Sequence, residues 1–450
     1  MNFLKKVFSP IFFLLAVSLL VYTFYKSEIY SQGLDSYKYL IYYIISLLLV
    51  VLSIITFFIN EKIKKYFIIS LISVVFFLYI SEGYLLLKMQ KKHLYSTNLA
   101  EDITKKAQLY REKTGKKYDT RSRLQIYEDL KRTNNNIAIE SHPNTNPINN
   151  KYKIFPLSGI SSSKTILCEE NGYYAIYESD RFGFNNPNYE WDVNEIEYLL
   201  VGDSFTHGSC VNRPNDIASV LRNLSNKSVL NLGYSSNGPL VEYATLREYL
   251  RPNVKKVLWI YYGNDLNDLQ FEKSNNFLIN YFNDLGFTQN LKTKQNNINN
   301  LLNTIIEKEQ NNMKMINEIK NNKIEYNKFI SFIKISSLRK LIFSTIKPSD
   351  FKKVLKLAKD LTIENNSELY LVYLPEFDHQ KKKFNLHDYV FVKKVANELK
   401  IPFIDIYKQV FEKEANPLIY FPFSLDGHYN VEGYSEVAKS IYQYTKNFTY

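Results

Sequence analysis

The chain has 450 residues and a formal net charge of +12, with 45% hydrophobic and 23% charged residues. That composition excludes wholesale disorder, and two cysteines exclude a disulfide scaffold or a multi-cysteine zinc cluster. A mean hydropathy of −0.27 excludes a chain that lies in the membrane throughout.

The first 88 residues differ from the rest. Val7 to Tyr25 and Tyr39 to Ile59 carry no charge, and Tyr66 to Leu87 carries only Glu82. Each run can cross a hydrocarbon core of about 30 Å as a helix. The first begins after Lys5 and Lys6 in the manner of a signal peptide, but no small-x-small cleavage pattern follows, so it reads as a retained anchor. The positive-inside rule is divided. The tight loop Asn60–Lys65, with three lysines, puts the N-terminus inside, whereas the basic run after the third span favours the reverse. The expectation is a multi-pass membrane protein with its large domain extracytoplasmic.

Residues 89–150 read as a basic stalk and linker. Positions 88–132 hold 13 Lys/Arg against 6 Asp/Glu, a net of +7 beside the membrane. This is either a solvated helical face or a surface for anionic headgroups. No nucleic-acid recognition motif accompanies the charge, so no nucleic-acid partner is expected. The Asn/Pro-rich stretch Asn134–Asn150 is a linker by its turn residues.

Residues 151–450 form the large domain, with a β-rich lead-in over 151–195. Apolar runs predict strands at Glu197–Gly202, Ser228–Leu232, Val254–Tyr262, Leu369–Leu374 and Phe403–Ile406. Helical spacing covers Asp216–Asn223, Pro239–Leu250, Asp350–Asn365, Asp388–Leu399 and Glu432–Tyr444. Strand–helix alternation implies a parallel sheet with helices on both faces, a three-layer α/β/α domain. Between about 271 and 347 the alternation breaks into a polar, Asn/Lys-rich helical insertion, read as a cap or lid.

The chemistry falls at strand ends, where open parallel sheets place their sites. The first strand runs into Gly202-Asp203-Ser204-Phe205-Thr206-His207-Gly208, which sets a hydroxyl on a sharp strand-to-helix turn. Asn231-Leu232-Gly233 follows the second strand, and Gly263-Asn264-Asp265 follows the third. Asp426-Gly427-His428 precedes the last helix. By itself the first block reads more often as a helix N-cap than as a nucleophile. The four together bring a nucleophile, a backbone donor, an amide donor and an acid–base pair to one edge.

In this order the blocks resemble the SGNH (GDSL-type) hydrolase superfamily, over roughly residues 196–270 and 350–446. The resemblance implies Ser204 as nucleophile, His428 as general base and Asp426 as the carboxylate that orients it. It implies the N–H groups of Ser204 and Gly233 and the side chain of Asn264 as the oxyanion hole, with no cofactor and no metal. The family's commonest ending sets two residues between the acid and the histidine, whereas here only Gly427 intervenes. His207 is the competing base, and Asp203, Asp265 and Asp268 are read as supporting or lining groups. His379 and His387 are read as solvated. Ser179-Asp180-Arg181-Phe182-Gly183-Phe184-Asn185-Asn186-Pro187 resembles a segment preceding the first block in membrane-linked members, and is read as a turn packed on the core.

Three functions follow. The first is a membrane-anchored hydrolase that cleaves an O-acyl ester on a small molecule or cell-surface glycan. The second is an O-acyltransferase working with a membrane acyltransferase partner, and the third an inactive glycan-binding module. The lipid bilayer is a partner in each. Cys168 and Cys210 either pair, as an extracytoplasmic location would allow, or are two separate buried thiols.

Overall fold

The computed structural model describes residues 2–30, 36–96, 99–141, 152–273, 275–308, 310, 332–336, 338, 348–377 and 387–446. It falls into two units, one of residues 1–96 and 321–345, the other of 97–320 and 346–450.

In the first unit, helices α1 (Asn2–Phe24), α2 (Ser36–Phe58) and α3 (Glu61–Ser96) contain three stretches long and apolar enough to cross a membrane: Val7–Ile29, Tyr39–Phe58 and Glu61–Leu87. Their burial is inverted relative to a water-soluble bundle. Ser9, Ala16, Ser46, Ser53 and Thr56 are buried, while Leu14, Leu48, Phe76 and Phe77 face outward. Small and weakly polar residues between helices and large apolar ones outside are the pattern a bilayer selects. Ser9 Oγ donates to the Thr56 carbonyl at 3.0 Å, joining α1 to α2.

The described parts of the expected insertion fall in both units. Tyr79 donates to the Ile333 carbonyl at 3.1 Å, Phe332 packs on the Tyr79 ring, and buried Glu82 accepts the Leu338 N–H at 2.7 Å. This part of the insertion therefore returns to α3. Its earlier part joins the other unit's core instead: Leu278, Tyr281, Leu291, Ile298 and Leu302 are buried there. Their apolar spacing is diluted by Asn and Lys, which made the stretch read as surface. Residues 311–331 and 339–347 lie outside the described residues.

The expected stalk also divides differently. Helices α4 (Leu99–Thr114) and α5 (Arg123–Lys131) belong to the second unit, and a Ser122/Gln125 capping box starts α5. Strand β1 (Ile137–Ile139) pairs in parallel with β2 (Lys164–Glu169), which pairs antiparallel with β3 (Tyr174–Glu178). Ile126 and Tyr127 of α5 pack with Ile137, Ile139 and Ile166 of this small sheet. The rest of the expected linker, 142–150, lies outside the described residues.

The main sheet has five parallel strands: β4 (Ile196–Gly202), β5 (Val229–Asn231), β6 (Val254–Tyr261), β7 (Glu368–Tyr373) and β8 (Phe403–Asp405). Their spatial order is β5-β4-β6-β7-β8. After β4 comes the one-turn helix α6 (Ser204–His207), then α7 (Ile217–Ser225), α8 (Pro239–Tyr249), α9 (Asp265–Glu272) and α10 (Asn276–Asn283). Helices α11 (Pro348–Glu364) and α12 (His387–Glu398) flank β7, the short α13 (Ile406–Gln409) follows β8, and α14 (Val431–Lys446) comes last.

Strand periodicity builds the layers, because successive side chains point to opposite faces. Tyr198, Leu200, Leu258, Ile260 and Val372 pack with Ala218 and Leu221 of α7 and Val437 and Ile441 of α14. Leu199, Val201, Val257, Trp259 and Leu371 pack with Leu240 and Ala244 of α8, Leu355 of α11 and Val392 of α12. The domain is thus a three-layer α/β/α sandwich. The chain steps from β4 to β5 on one side and then crosses to β6 on the other. The carboxyl end of β4 is therefore a topological switch point, where such sheets open a crevice.

Candidate active site

The three blocks after β4, β5 and β6 meet at that crevice. β4 ends at Gly202, and Asp203 caps α6 by accepting the Phe205 N–H at 2.9 Å. Ser204 is then the first residue of the helix, where N–H groups have no intrahelical acceptor. The Ser204 hydroxyl lies 2.8 Å from His428 Nε2. His428 reaches it from the loop before α14, its ring packed on Phe205 at 4.7 Å between centroids.

The carboxylate on the other ring nitrogen is not Asp426. Glu170 Oε1 stands 3.0 Å from His428 Nδ1, and Glu170 Oε2 accepts the His428 backbone N–H at 2.6 Å. One carboxylate therefore occupies both donors of this residue. Because an ionised carboxylate only accepts, Nδ1 carries the proton and Nε2 is left to accept from Ser204. Asp426 is exposed, and its backbone carbonyl faces the Lys106 ammonium at 3.4 Å. Gly427 explains the short spacing. A Cβ there would lie 2.5 Å from Glu170 Oε2, so only glycine lets the carboxylate approach.

Glu170 follows β2 at the turn of the lead-in hairpin, a segment the sequence reading assigned no chemistry. Several ties hold the hairpin on the loop after α6. Cys168 and Cys210 form a disulfide, the Asn171 side chain donates to the Cys210 carbonyl at 2.9 Å, and the Ile176 N–H donates to Asn212 Oδ1 at 2.9 Å. The one sequence feature that bears on it is the single-residue gap before His428, which departs from the family's commonest ending but names no partner.

Each group of the pair shifts the other toward its charged form. Burial works against the protonated ring, but the charge and hydrogen bond of Glu170, helped by Asp203 and Glu140, lift His428 above its ordinary value. Burial likewise opposes ionised Glu170, yet His428 and Lys106 hold that carboxyl below the usual range. Burial pushes Asp203 up to about 6, against the Phe205 N–H and the His428 charge.

The oxyanion-hole candidates line the same crevice. The Gly233 N–H donates to Asn231 Oδ1 at 2.9 Å. A Cβ at Gly233 would meet Thr206 Cβ at 2.5 Å, so this loop packs on α6 only as glycine. Asn264 donates one amide hydrogen to Asp268 Oδ2 at 2.7 Å, and an amide carries a second. Asp265 accepts the Tyr262 N–H at 3.1 Å, so both acids shape the β6 loop. Burial raises both carboxyls, and at Asp265 the nearby Asp203 adds to it.

His207 belongs to a different cluster. It is fully buried and stacked on Tyr234, with Nδ1 3.3 Å from Ser235 Oγ and 3.5 Å from Glu140. The ring is committed behind the helix rather than to Ser204. His379 and the His387 side chain lie outside the described residues.

The Ser179–Pro187 segment is more than a packed turn. Buried Asp180 accepts from the Phe182 and Phe184 N–H groups, Trp191 Nε1 and Asn186 Nδ2. Asn186 also donates to the Asn231 carbonyl and accepts the Asn231 N–H, both at 2.8 Å. Since Asn231 in turn holds Gly233, a continuous amide chain runs from this segment to the oxyanion loop.

No family model matches the sequence, and no curated protein does. Among solved structures the chain is similar to a member of the lipolytic protein G-D-S-L family from Veillonella parvula DSM 2008. The identity is 14% and the TM-score 0.33, over 56% of this chain and 98% of that one. It is also similar to the acetyl xylan esterase AlAXEase, at 13% identity and a TM-score of 0.32 over 55% and 99%. Neither likeness bears on the chemistry, which rests on the site itself.

Proposed function

We propose that this chain is a membrane-anchored serine hydrolase that cleaves an O-acyl ester, with a cell-surface glycan or related conjugate as substrate. One observation carries the reading: the hydrogen-bonded series Ser204, His428, Glu170, with 2.8 and 3.0 Å between partners. A hydroxyl, an imidazole and an orienting carboxylate in that order are what activates a serine.

His428 Nε2 takes the Ser204 proton as Oγ attacks the acyl carbon. The imidazolium that forms is stabilised by Glu170, which stays ionised. The oxyanion is received by the Ser204 N–H, the second amide hydrogen of Asn264, and the Gly233 N–H once it turns from Asn231. Each such donor contributes about 10²–10³ in rate. His428 then protonates the leaving sugar oxygen, and water, deprotonated by the same ring, releases the acid and restores Ser204. A positioned base of this kind contributes about 10²–10⁴.

The disulfide supports an extracytoplasmic domain, since reducing compartments do not preserve such bonds. The membrane helices would hold the enzyme at a surface, where acylated glycans are ester-bearing polymers within reach.

The test is aryl acetate hydrolysis and fluorophosphonate labelling by the full chain in detergent. Wild type is expected to turn over and label, and Ser204→Ala to do neither while keeping its thermal transition. Activity surviving in Ser204→Ala would remove Ser204 from the mechanism. Added oligosaccharide distinguishes release into water from transfer to a sugar hydroxyl.

A further inference from the structure

We propose that the Cys168–Cys210 disulfide is a positioning element of this site: it holds Glu170 on the His428 ring, and opening it slows turnover through Glu170 without unfolding the domain. The proposal rests on the hydrolase reading above and concerns how its acid is kept in place.

Glu170 comes from a three-stranded sheet that shares no strand pairing with the five-stranded sheet carrying Ser204. Main-sheet geometry therefore does not determine where Glu170 stands. Within the hairpin the β2–β3 register shifts between Ile166 and Glu169, and the last pair, Glu169 with Tyr174, ends one residue before Glu170, so Glu170 itself lies outside the ladder. The disulfide acts at that point. Cys168 precedes Glu170 by two residues, and its Cα lies 4.9 Å from that of Cys210, in the loop after α6. Cys210 Sγ is 3.8 Å from His428 Nδ1, the nitrogen that Glu170 contacts. The bridge thus rests against the edge of the ring whose partner it carries.

The remaining ties would survive reduction. Asn171 on the Cys210 carbonyl, Ile176 on Asn212, and Arg213 on the Glu178 carbonyl at 2.8 Å keep the hairpin on the domain. What is lost is the covalent restraint nearest the carboxylate. Dithiothreitol supplies the two electrons and two protons, leaves two thiols, and ends as its cyclic disulfide. With Glu170 released, His428 loses its fixed tautomer and the charge that favours its protonated form.

The experiment compares the full chain in detergent before and after dithiothreitol, together with the Cys168→Ser/Cys210→Ser variant. The expected result is a fall in kcat of about tenfold or more, with KM within about twofold. The acid limb of kcat/KM should move to lower pH. In Glu170→Gln, reduction should cause no further fall. Reduction that slows Glu170→Gln as much as wild type, or leaves the wild-type pH profile unmoved, overturns the proposal. If wild type hydrolyses nothing, the hydrolase reading fails on its own. The positioning claim is then decided by the His428 titration followed by NMR, which must shift to lower pH on reduction and refutes the claim if it does not.

Discussion

At the scale of single residues, the carboxylate on His428 comes from outside the sheet that carries Ser204. Glu170→Gln is expected to lower kcat by about 10²–10⁴-fold, with Asp426→Asn close to wild type. The sign of the pH effect follows from the pair. Glu170 raises His428, so the neutral base is available only above a higher pH, and Glu170→Gln should shift the acid limb of kcat/KM downward. Stability follows the same pair. The raised His428 contributes fully below its unfolded value of about 6.5 and loses that contribution as pH rises through the folded one. The lowered Glu170 contributes fully above about 4.3 and loses it as pH falls. A pH–rate profile of the two variants checks the assignment, and equal losses in both would contradict it. The Ser204–His428 pair was legible because each residue follows a strand or precedes a helix in a recognisable block. Glu170 was not, because a glutamate in a polar turn carries no local mark of a partner 258 residues away.

At the scale of elements, the main-sheet strands and flanking helices were legible nearly to the residue. Their apolar runs are buried on both faces, so period and burial agree. The insertion was less legible, because its core positions are few among Asn and Lys. The amide chain from Asp180 through Asn186 and Asn231 to Gly233 was invisible, since asparagine is common in loops throughout this chain. Asn186→Ala is expected to cost about 1–3 kcal/mol, because it leaves the Asn231 N–H and the Asp180 carboxylate short of buried partners. It should also lower kcat by loosening Gly233, with the pH profile unmoved because His428 keeps Glu170. Thermal melts beside steady-state kinetics check both parts, and a wild-type melting temperature would mean the chain of amides is dispensable.

At the scale of the whole molecule, the membrane helices were legible from length and composition, but their orientation was not, because lysines fall on both sides of the spans. The cysteines provide a chemical reading of sidedness. Protein taken unreduced from intact cells, denatured and treated with a thiol reagent should show no free thiol, and two after reduction. Two free thiols at the outset would put the domain in a reducing compartment. The division into units was also hidden in the sequence. Residues 99–141 looked like a spacer by charge, yet they belong to the unit that carries the parallel sheet, and 321–345 group with the membrane helices.

The lead-in hairpin also bears on how the protein is divided. The recognisable blocks begin at β4, so a fragment cut at about residue 196 would look whole by motif. It would contain the strands of the five-stranded sheet, Ser204, Gly233, Asn264 and His428, and would lack Glu170 together with the buried Phe184 and Trp191 and the Asn186 that holds Asn231. Gly427, with no carboxylate to admit, would then line an empty notch beside the imidazole. On the proposed reading, inactivity of such a fragment would belong to the cut rather than to the protein.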